Sequence, residues 1–137
     1  MTPDELQARS KQFSLRIIKL VRALPNDIVG WELGKQILRS GTSVSSNYRA
    51  ARRARSHKEF VSKIGTVVEE SDETVHWLEL LTESGIVNAQ RVANLLREAD
   101  ELMRIFSKTR ATARQSQKTQ LNKKSTNRQI TKSQIAN

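Results

Sequence analysis

The side chains with the clearest chemical potential in this sequence are closely spaced cations. Seven Lys and Arg residues fall between positions 35 and 58, and no acidic residue interrupts them. They are Lys35, Arg39, Arg49, Arg52, Arg53, Arg55 and Lys58. Cations at this density attract polyanions, and Lys and Arg are the side chains that most often contact the phosphates of RNA or DNA. The segment is therefore the first candidate for a nucleic-acid-binding site.

Helical spacing would place four of these cations on one outward surface. If Ile37 marks the centre of a helix's buried face, four cations lie about 120° to 200° away from it. These four, which we call the ridge, are Lys35, Arg39, Arg49 and Arg53. The ridge would be about 27 Å long, enough to follow several phosphates. The alternative is a solvated basic face whose cations pair with acids of the third helix.

Stacking on bases has little support in the composition. The chain has only 3 Phe, 2 Trp and 1 Tyr, so few aromatic platforms are present. Proteins that bind unpaired bases rely on such platforms, each contributing about 1–3 kcal/mol per stacked base. Any nucleic-acid binding is therefore expected to be directed to the backbone and weakly sequence-specific.

An enzymatic site has one weak sign in the sequence, the spacing of Glu73 and His76. Glu-x-x-His is the ligand spacing of di-iron helical bundles, but that chemistry needs a second such pair and carboxylates from two further helices. His57 is the only other His, and no Glu precedes it by three residues. The chain has no Cys, no Ser-His-Asp spacing and no Gly-rich phosphate loop. We therefore expect no catalytic residue, no metal and no cofactor.

Capping signals predict two helices in the first half of the chain. Thr2 and Glu5 can form a capping box, with Pro3 suited to the first helical position. Pro25 disfavours helical geometry in the residue before it, so this helix should end one or two residues before Pro25. Asp27 can then cap a second helix that carries the cations.

Three glycines fall on the inner stripe of this second helix. They are Gly30, Gly34 and Gly41. Each lowers helix propensity by about 1 kcal/mol relative to Ala, so a compensating reason is expected. Either a neighbouring helix backbone comes close there, or the helix bends at Gly41.

Two further helices are predicted in the second half. Ser56 and Glu59 form another capping box, and the apolar periodicity that follows continues until Gly85. Asn88 can cap a fourth helix, whose periodicity fails beyond about Arg110. Short connections between long helices favour antiparallel neighbours. The sequence therefore predicts an all-α, antiparallel up-down four-helix bundle in the first 110 residues.

A basic polar tail is predicted after the bundle, over residues 111–137. It contains six of the chain's 24 Lys and Arg residues and no acid, within a formal net charge of +10. Its few apolar residues cannot bury enough area to offset the entropy of ordering, so we expect it to be disordered unless a partner orders it. No more than two apolar residues ever occur in succession, so a membrane span or secretory signal is not expected. We expect a soluble, cytoplasmic protein.

Four apolar side chains lie off the predicted buried stripes of the first and third helices. They are Leu15, Ile18, Trp77 and Leu80. Because the same defect occurs on two helices, we predict that these residues form a subunit interface. The alternatives are that loops or the tail cover them, or that isolated exposed apolar residues need no partner.

Several segments of this chain resemble one bacterial family of four-helix-bundle proteins. They are Leu38–Ala51, Arg53–Ser56, Lys58–Phe60, Lys63–Gly65, Glu69–Thr74, Trp77–Leu81 and Glu83–Gly85. The family is named after the 23S ribosomal RNA intervening sequences that encode some of its members. The resemblance implies an antiparallel four-helix bundle assembled as a homopentamer, and it implies no established activity. Distant relatives are accessory proteins of diversity-generating retroelements, which engage a reverse transcriptase and nucleic acid.

One departure from the family pattern concerns the Ser-Asn pair of the second helix. Many members read Ile-Ala-Glu-Gly after it, whereas this chain has Tyr48-Arg49-Ala50-Ala51. Any role of that Glu is not transferred to this chain. The sequence thus predicts a non-enzymatic homo-oligomer that binds RNA or DNA through phosphates. The alternative is a protein-interaction scaffold, or adaptor, for a partner protein such as a nucleic-acid enzyme.

Overall fold

The computed structural model describes residues 1–136, with side chains described for residues 1–128. Four α-helices follow one another along the chain. They are α1 (Pro3–Arg22), α2 (Ile28–Arg52), α3 (His57–Glu83) and α4 (Ala89–Ala136). No strand occurs in this part of the chain. The predicted all-α four-helix architecture is confirmed.

The predicted caps are present at the starts of the helices. Thr2 and Glu5 form a complete capping box at α1, and the Asp27 carboxylate accepts a hydrogen bond from the Gly30 amide at 2.8 Å. At α3, Ser56 Oγ accepts from the Glu59 amide at 3.0 Å. The carboxylate of Glu59 reaches back one residue further than predicted and accepts from the Arg55 amide at 3.3 Å. These bonds satisfy amides that a helix start otherwise leaves without an acceptor.

The helices pack in chain order around one apolar core. α2 packs against both α1 and α3, and α3 packs against α4, whereas α1 and α4 meet at few points. The core includes Phe13 and Ile17 of α1, Ile37 of α2 and Leu102 of α4, which are almost completely buried. Burying such side chains contributes about 1.5–3 kcal/mol each. The bundle is therefore closed on three sides and more open between α1 and α4.

The close approach predicted from the glycines of α2 is present. A Cβ on Gly41 would lie 2.8 Å from Cγ2 of Ile17, closer than van der Waals contact allows. A Cβ on Gly30 would lie 2.1 Å from the carbonyl oxygen of Pro25. α2 continues as one helix through Gly41. The glycines thus compensate for their low helix propensity by letting α1 and the α1–α2 turn pack directly on the α2 backbone.

Buried hydroxyl groups set how α2 lies against its two neighbours. Ser14 Oγ donates to the carbonyl oxygen of Gly41 at 2.8 Å, and it lies 2.6 Å from Ser45 Oγ. On the other side, the hydroxyls of Ser40 and Thr74 are 2.9 Å apart. Within the side chains described, no buried polar atom lacks a hydrogen-bond partner. Because an unpaired buried hydroxyl is costly, these contacts favour one rotation of α2 about its axis.

α4 differs from the prediction that it ends near Arg110. The helix continues without interruption, Ala113 is buried, and nearly all side chains from 114 to 128 are exposed. No Gly or Pro occurs after Gly85, so no residue sterically terminates the helix at the edge of the bundle. Residues 111–128 of the predicted tail therefore extend α4 as a solvated helix. The side chains from 129 onward, including those of Ile130 and Ile135, lie outside the described residues.

Candidate nucleic-acid interface

Arg39 does not stand free on the surface of α2. Its guanidinium Nη1 donates to Glu70 Oε1 at 3.2 Å, and its Nη2 donates to Glu73 Oε1 at 2.5 Å. The hydrogen bond from Arg39 is the main reason that the pKa of the Glu73 carboxyl is below its usual range. The hydrogen bond that Arg39 donates to Glu73 likewise raises the pKa of Arg39. The alternative reading of the ridge, in which cations pair with acids of α3, is therefore correct for Arg39.

Two other predicted cations also have carboxylate partners. Lys35 Nζ lies 3.6 Å from Glu32 Oε1 within α2, and both side chains are largely exposed. Arg52 Nη1 lies 2.7 Å from Asp4 Oδ1 and donates to Gln7 Oε1 at 2.7 Å. Arg52 thus ties the end of α2 to the first turns of α1. The prediction of a continuous ridge of free cations is corrected. Arg39 and Lys35 are paired with carboxylates, so the unpaired cations do not extend along the whole of α2.

Four predicted cations remain free, and all lie around the α2–α3 turn. We call them the turn cluster: Arg49, Arg53, Arg55 and Lys58. Each side chain is exposed, and none has a carboxylate within ion-pair distance among the side chains that the structure describes. They come from the last turn of α2, the connection and the first turn of α3. The structure therefore concentrates free positive charge at one end of the bundle.

The acids at this end of the bundle are already engaged. Asp4 pairs with Arg52, Glu5 completes the α1 capping box, and Glu59 accepts the Arg55 amide. The remaining acids of α3 begin at Glu69, more than two helical turns from Lys58. Glu5 and Glu59 bind only backbone amides and keep their charges, but the cations at this end outnumber the acids, so an incoming phosphate would meet an excess of positive charge.

α4 brings further cations to the same end. The His57 ring Nε2 donates to the carbonyl oxygen of Ala113 at 2.7 Å, so α4 passes directly beside the start of α3. A Cβ on Gly65 would lie 3.9 Å from Arg110 Cδ, which places Arg110 against α3 as well. From residue 102 to 128 the chain has eight Lys and Arg residues and no acid. Lys108 and Arg110 were not among the predicted cations, because the sequence analysis placed the end of the bundle near Arg110 and counted the tail from residue 111. The signal that could have identified them is the absence of acids after Glu101.

The four predicted interface residues differ in exposure. Leu15 is 47% exposed and Leu80 is 36% exposed, as their positions off the buried stripes predicted. Ile18 is half-buried. Trp77 is also half-buried, packs against the core, and donates its indole N–H to Glu73 Oε1 at 3.2 Å. The prediction that Trp77 is an exposed interface residue is thus corrected, because its side chain is partly buried.

α2 carries an exposed apolar surface that the sequence analysis missed. Trp31 is 55% exposed and Leu38 is 37% exposed, and both lie on the side of α2 near α1. Their seven-residue spacing was a visible signal, since it repeats a helical face. Leu15 of α1 is exposed as well, as are Ile28 and Val29 at the start of α2.

The Glu73 and His76 pair has the wrong surroundings for a metal site. Glu73 accepts hydrogen bonds from Arg39 and Trp77, and the His76 ring stands edge-on against Trp77 with centroids 4.9 Å apart. Among the described residues, no three His, Cys, Asp or Glu side chains are grouped closely enough to hold a metal ion.

The fold and its charges define a class of protein, an antiparallel four-helix bundle with a strongly basic end. Over the described residues, no helix combines the length and apolar character that crossing a membrane would need. The 23S rRNA-intervening sequence protein family matches residues 5–108, so the chain belongs to this family. The part of α4 beyond residue 108 lies outside that match.

One solved structure is closely similar to this bundle. It comes from Bacteroides thetaiotaomicron and is described as a protein with unknown function from the S23 ribosomal protein family. The two chains are 30% identical, with a TM-score of 0.75, and the match covers 81% of this chain and 99% of that one. No curated protein matches the sequence significantly.

Proposed function

We propose that this protein is a non-enzymatic homo-oligomer that binds RNA or DNA through phosphate contacts at the turn cluster. The observation that carries the proposal is the selective pairing of the cations. Arg39 and Arg52 are held by carboxylates, whereas Arg49, Arg53 and Arg55 are exposed without such partners. Free Lys and Arg side chains that neutralise phosphates release counterions, which drives binding.

The positions of the aromatic residues support contacts to the backbone rather than to bases. Phe13, Tyr48 and Phe106 are buried, and Phe60 and Trp77 are half-buried against the core. Trp31 is exposed but lies 18 residues before Arg49 on the same helix, about 27 Å away. The turn cluster therefore has no exposed stacking platform within the described residues, and its binding should depend weakly on sequence.

A homo-oligomer would strengthen such binding by presenting several turn clusters together. The apolar surface of Leu15, Trp31 and Leu38 and the exposed Leu80 of α3 are the contacts we propose between subunits. Five subunits, as the family resemblance implies, would bring five turn clusters to one assembly. Linked sites of modest individual affinity bind a long polyanion with much higher avidity than one site alone.

The proposal is tested by comparing two variants that each lose four positive charges. The turn variant carries Arg49→Gln, Arg53→Gln, Arg55→Gln and Lys58→Gln. Its control, the α1 variant, carries Lys11→Gln, Arg16→Gln, Lys19→Gln and Arg22→Gln, all exposed cations without carboxylate partners in the described residues. Fluorescence anisotropy with labelled RNA and DNA is measured at several salt concentrations.

We expect the turn variant to reduce the magnitude of the slope of log affinity against log salt by about 3 to 4, since each of the four lost phosphate contacts removes about 0.7 to 0.9. The α1 variant should retain most of the slope. Equal losses in both variants would mean that binding follows net charge rather than the turn cluster. An absence of binding at low salt would remove the proposal.

The scaffold function remains a second candidate because of a groove between α1 and α4. This groove has a volume of about 410 Å³ and an apolar floor that includes Leu20, Leu24 and Val92. Arg16, Lys19 and Arg91 border it, and no carboxylate pairs with them among the described side chains. Such a groove fits an acidic amphipathic helix of a partner protein. A protein that copurifies after nuclease treatment, and is lost on Arg16→Glu with Arg91→Glu, would favour the scaffold.

A further inference from the structure

α4 continues beyond the bundle as a helix with a single cationic face. We call residues 111–128 the arm. Five cations spaced along the arm and its base fall within about 120° of one another around the helix axis. They are Arg110, Arg114, Lys118, Lys124 and Arg128. The face they form is about 27 Å long.

The opposite side of the arm is polar and nearly uncharged. Its side chains are Thr112, Gln115, Ser116, Thr119, Asn122 and Thr126, with Lys123 as the one cation. The two sides of the arm therefore differ in charge and do not differ in hydrophobicity. A helix with this pattern is suited to a polyanion on one side and to water on the other.

The cationic face is unfavourable for the free protein. Arg110 and Arg114, Arg114 and Lys118, and Lys124 and Arg128 are like-charge pairs at four-residue spacing, which destabilise a helix. No acid occurs within residues 102–128, and the exposed side chains after Ala113 gain little from packing. The bundle already supplies the nucleus of α4, so the arm only propagates the helix, and a bound anion would relieve the repulsion between its cations. The face therefore points to a polyanionic ligand that the arm itself does not contain.

The arm's composition argues against two classes of polyanion. A membrane-surface helix needs an apolar side, but Leu121 is the only large apolar residue from 107 to 128. Single-stranded nucleic acid is bound largely through stacking, and no aromatic residue follows Phe106. Duplex nucleic acid presents phosphates without requiring stacking, so the arm's residues fit it best.

We infer that the arm lies in the major groove of double-stranded DNA, with its cationic face toward the phosphates and base edges. The groove of B-form DNA is about 12 Å wide and admits an α-helix of about 10–12 Å. The major groove of duplex RNA is too narrow for side chains to read. Straight, continuous basic helices can cross the major groove of DNA, so the geometry of the arm is compatible with this position.

This inference rests on the proposed function and adds a duplex DNA target to it. The bond between His57 and Ala113 holds the base of the arm beside Arg55 and Lys58 of the turn cluster. Phosphates that flank the groove would then reach the turn cluster while the arm occupies the groove. The family match ends at residue 108, so the arm lies outside the matched region.

The test uses a full-length variant that keeps composition and net charge but rotates three cations off the face. The rotated variant exchanges Arg114→Gln with Gln115→Arg, Lys118→Thr with Thr119→Lys, and Lys124→Thr with Thr126→Lys. A face-preserving control carries Arg114→Lys and Lys118→Arg. Anisotropy is measured with a DNA duplex of about 20 base pairs, which spans roughly two helical turns. The matching RNA duplex and anionic phosphatidylserine vesicles are measured in the same way. Circular dichroism follows the helical content of the protein.

We expect the rotated variant to lose about 2 to 3 from the salt slope on duplex DNA, because three phosphate contacts are removed. The face-preserving control should match the natural chain. The helical signal of the natural chain should increase on adding DNA. The turn cluster is intact in the rotated variant, so the residual binding of that variant retains the contribution of the turn cluster.

Three results would overturn the inference without affecting the proposed function. The first is equal DNA binding by the rotated variant and the natural chain, which would mean that binding does not depend on which side of the arm carries the cations. The second is equal or tighter binding to duplex RNA, and the third is tighter binding to the vesicles. In each case, loss of binding in the turn variant would still support the turn cluster.

Discussion

Arg39 of α2 and Glu73 of α3 form an ion pair across two helices, 34 residues apart in the chain, with Nη2 2.5 Å from Oε1. Glu70 accepts a second bond from the same guanidinium at 3.2 Å. The pair joins the acidic part of α3 to the middle of α2, and it separates a neutralised region of the bundle from the free cations of the turn cluster.

The Arg39–Glu73 pair should make stability depend on pH in the acidic range. Because the pKa of Glu73 is lowered in the folded protein, its contribution is present above the unfolded value, about 4.3, and is lost as pH falls through the folded pKa. Glu73→Gln should therefore lower the free energy of unfolding at pH 7 by about 1 kcal/mol or less, and its difference from the natural chain should vanish in acid. Chemical denaturation from pH 2 to 7 measures this, with the exposed, unpaired Glu69→Gln as control.

Arg39 and Arg53 should affect different properties of the protein. Arg39→Gln breaks a bond to α3 and should lower stability while changing nucleic-acid affinity little. Arg53→Gln removes an exposed cation without a described partner and should lower the salt slope by about 1 with no change in stability. Thermal melting and anisotropy on both variants check this. A larger loss of affinity in Arg39→Gln would place phosphate contacts at the middle of α2 instead.

Two glycine substitutions should change stability in opposite directions. Gly41→Ala places a Cβ 2.8 Å from Ile17 Cγ2 and 2.9 Å from its Cγ1, and overpacking of this kind costs about 1–3 kcal/mol. Gly65→Ala meets only Arg110 Cδ at 3.9 Å, so the gain in helix propensity of up to about 1 kcal/mol should dominate. Urea denaturation of both variants measures the difference. Equal effects would show that α1 does not pack on Gly41 in solution.

Leu15 and Leu80 should control assembly more than folding. Their side chains are 47% and 36% exposed, so Leu15→Asn with Leu80→Asn should leave the melting temperature of the bundle within a few degrees. The same change should reduce the mass measured by sedimentation equilibrium at low micromolar concentration, since an interface loses its apolar centre. Leu121→Asn on the arm, where the side chain is 59% exposed, is the matched control and should leave the mass unchanged.

Most of the bundle was predictable because its signals are local. The Thr2 and Asp27 caps, the break at Pro25 and the stop at Gly85, with its φ of 77°, each depend on residues a few positions apart. The end of α4 was not predictable in the same way. Apolar periodicity stops near Arg110, but loss of periodicity marks where packing ends and not where the backbone leaves the helix.

The sequence by itself determined the number of helices, their order and the concentration of cations between positions 35 and 58 and after Glu101. Only the tertiary structure decided which of those cations are free. Arg39 and Arg53 lie on the same side of α2 by helical spacing, yet only Arg39 faces carboxylates of α3. The physical reason is that an ion pair between helices depends on the rotation and height of one helix relative to the other. Buried contacts, such as that between Ser40 and Thr74, favour one such arrangement. The spacing of residues within a single helix carries no information about it.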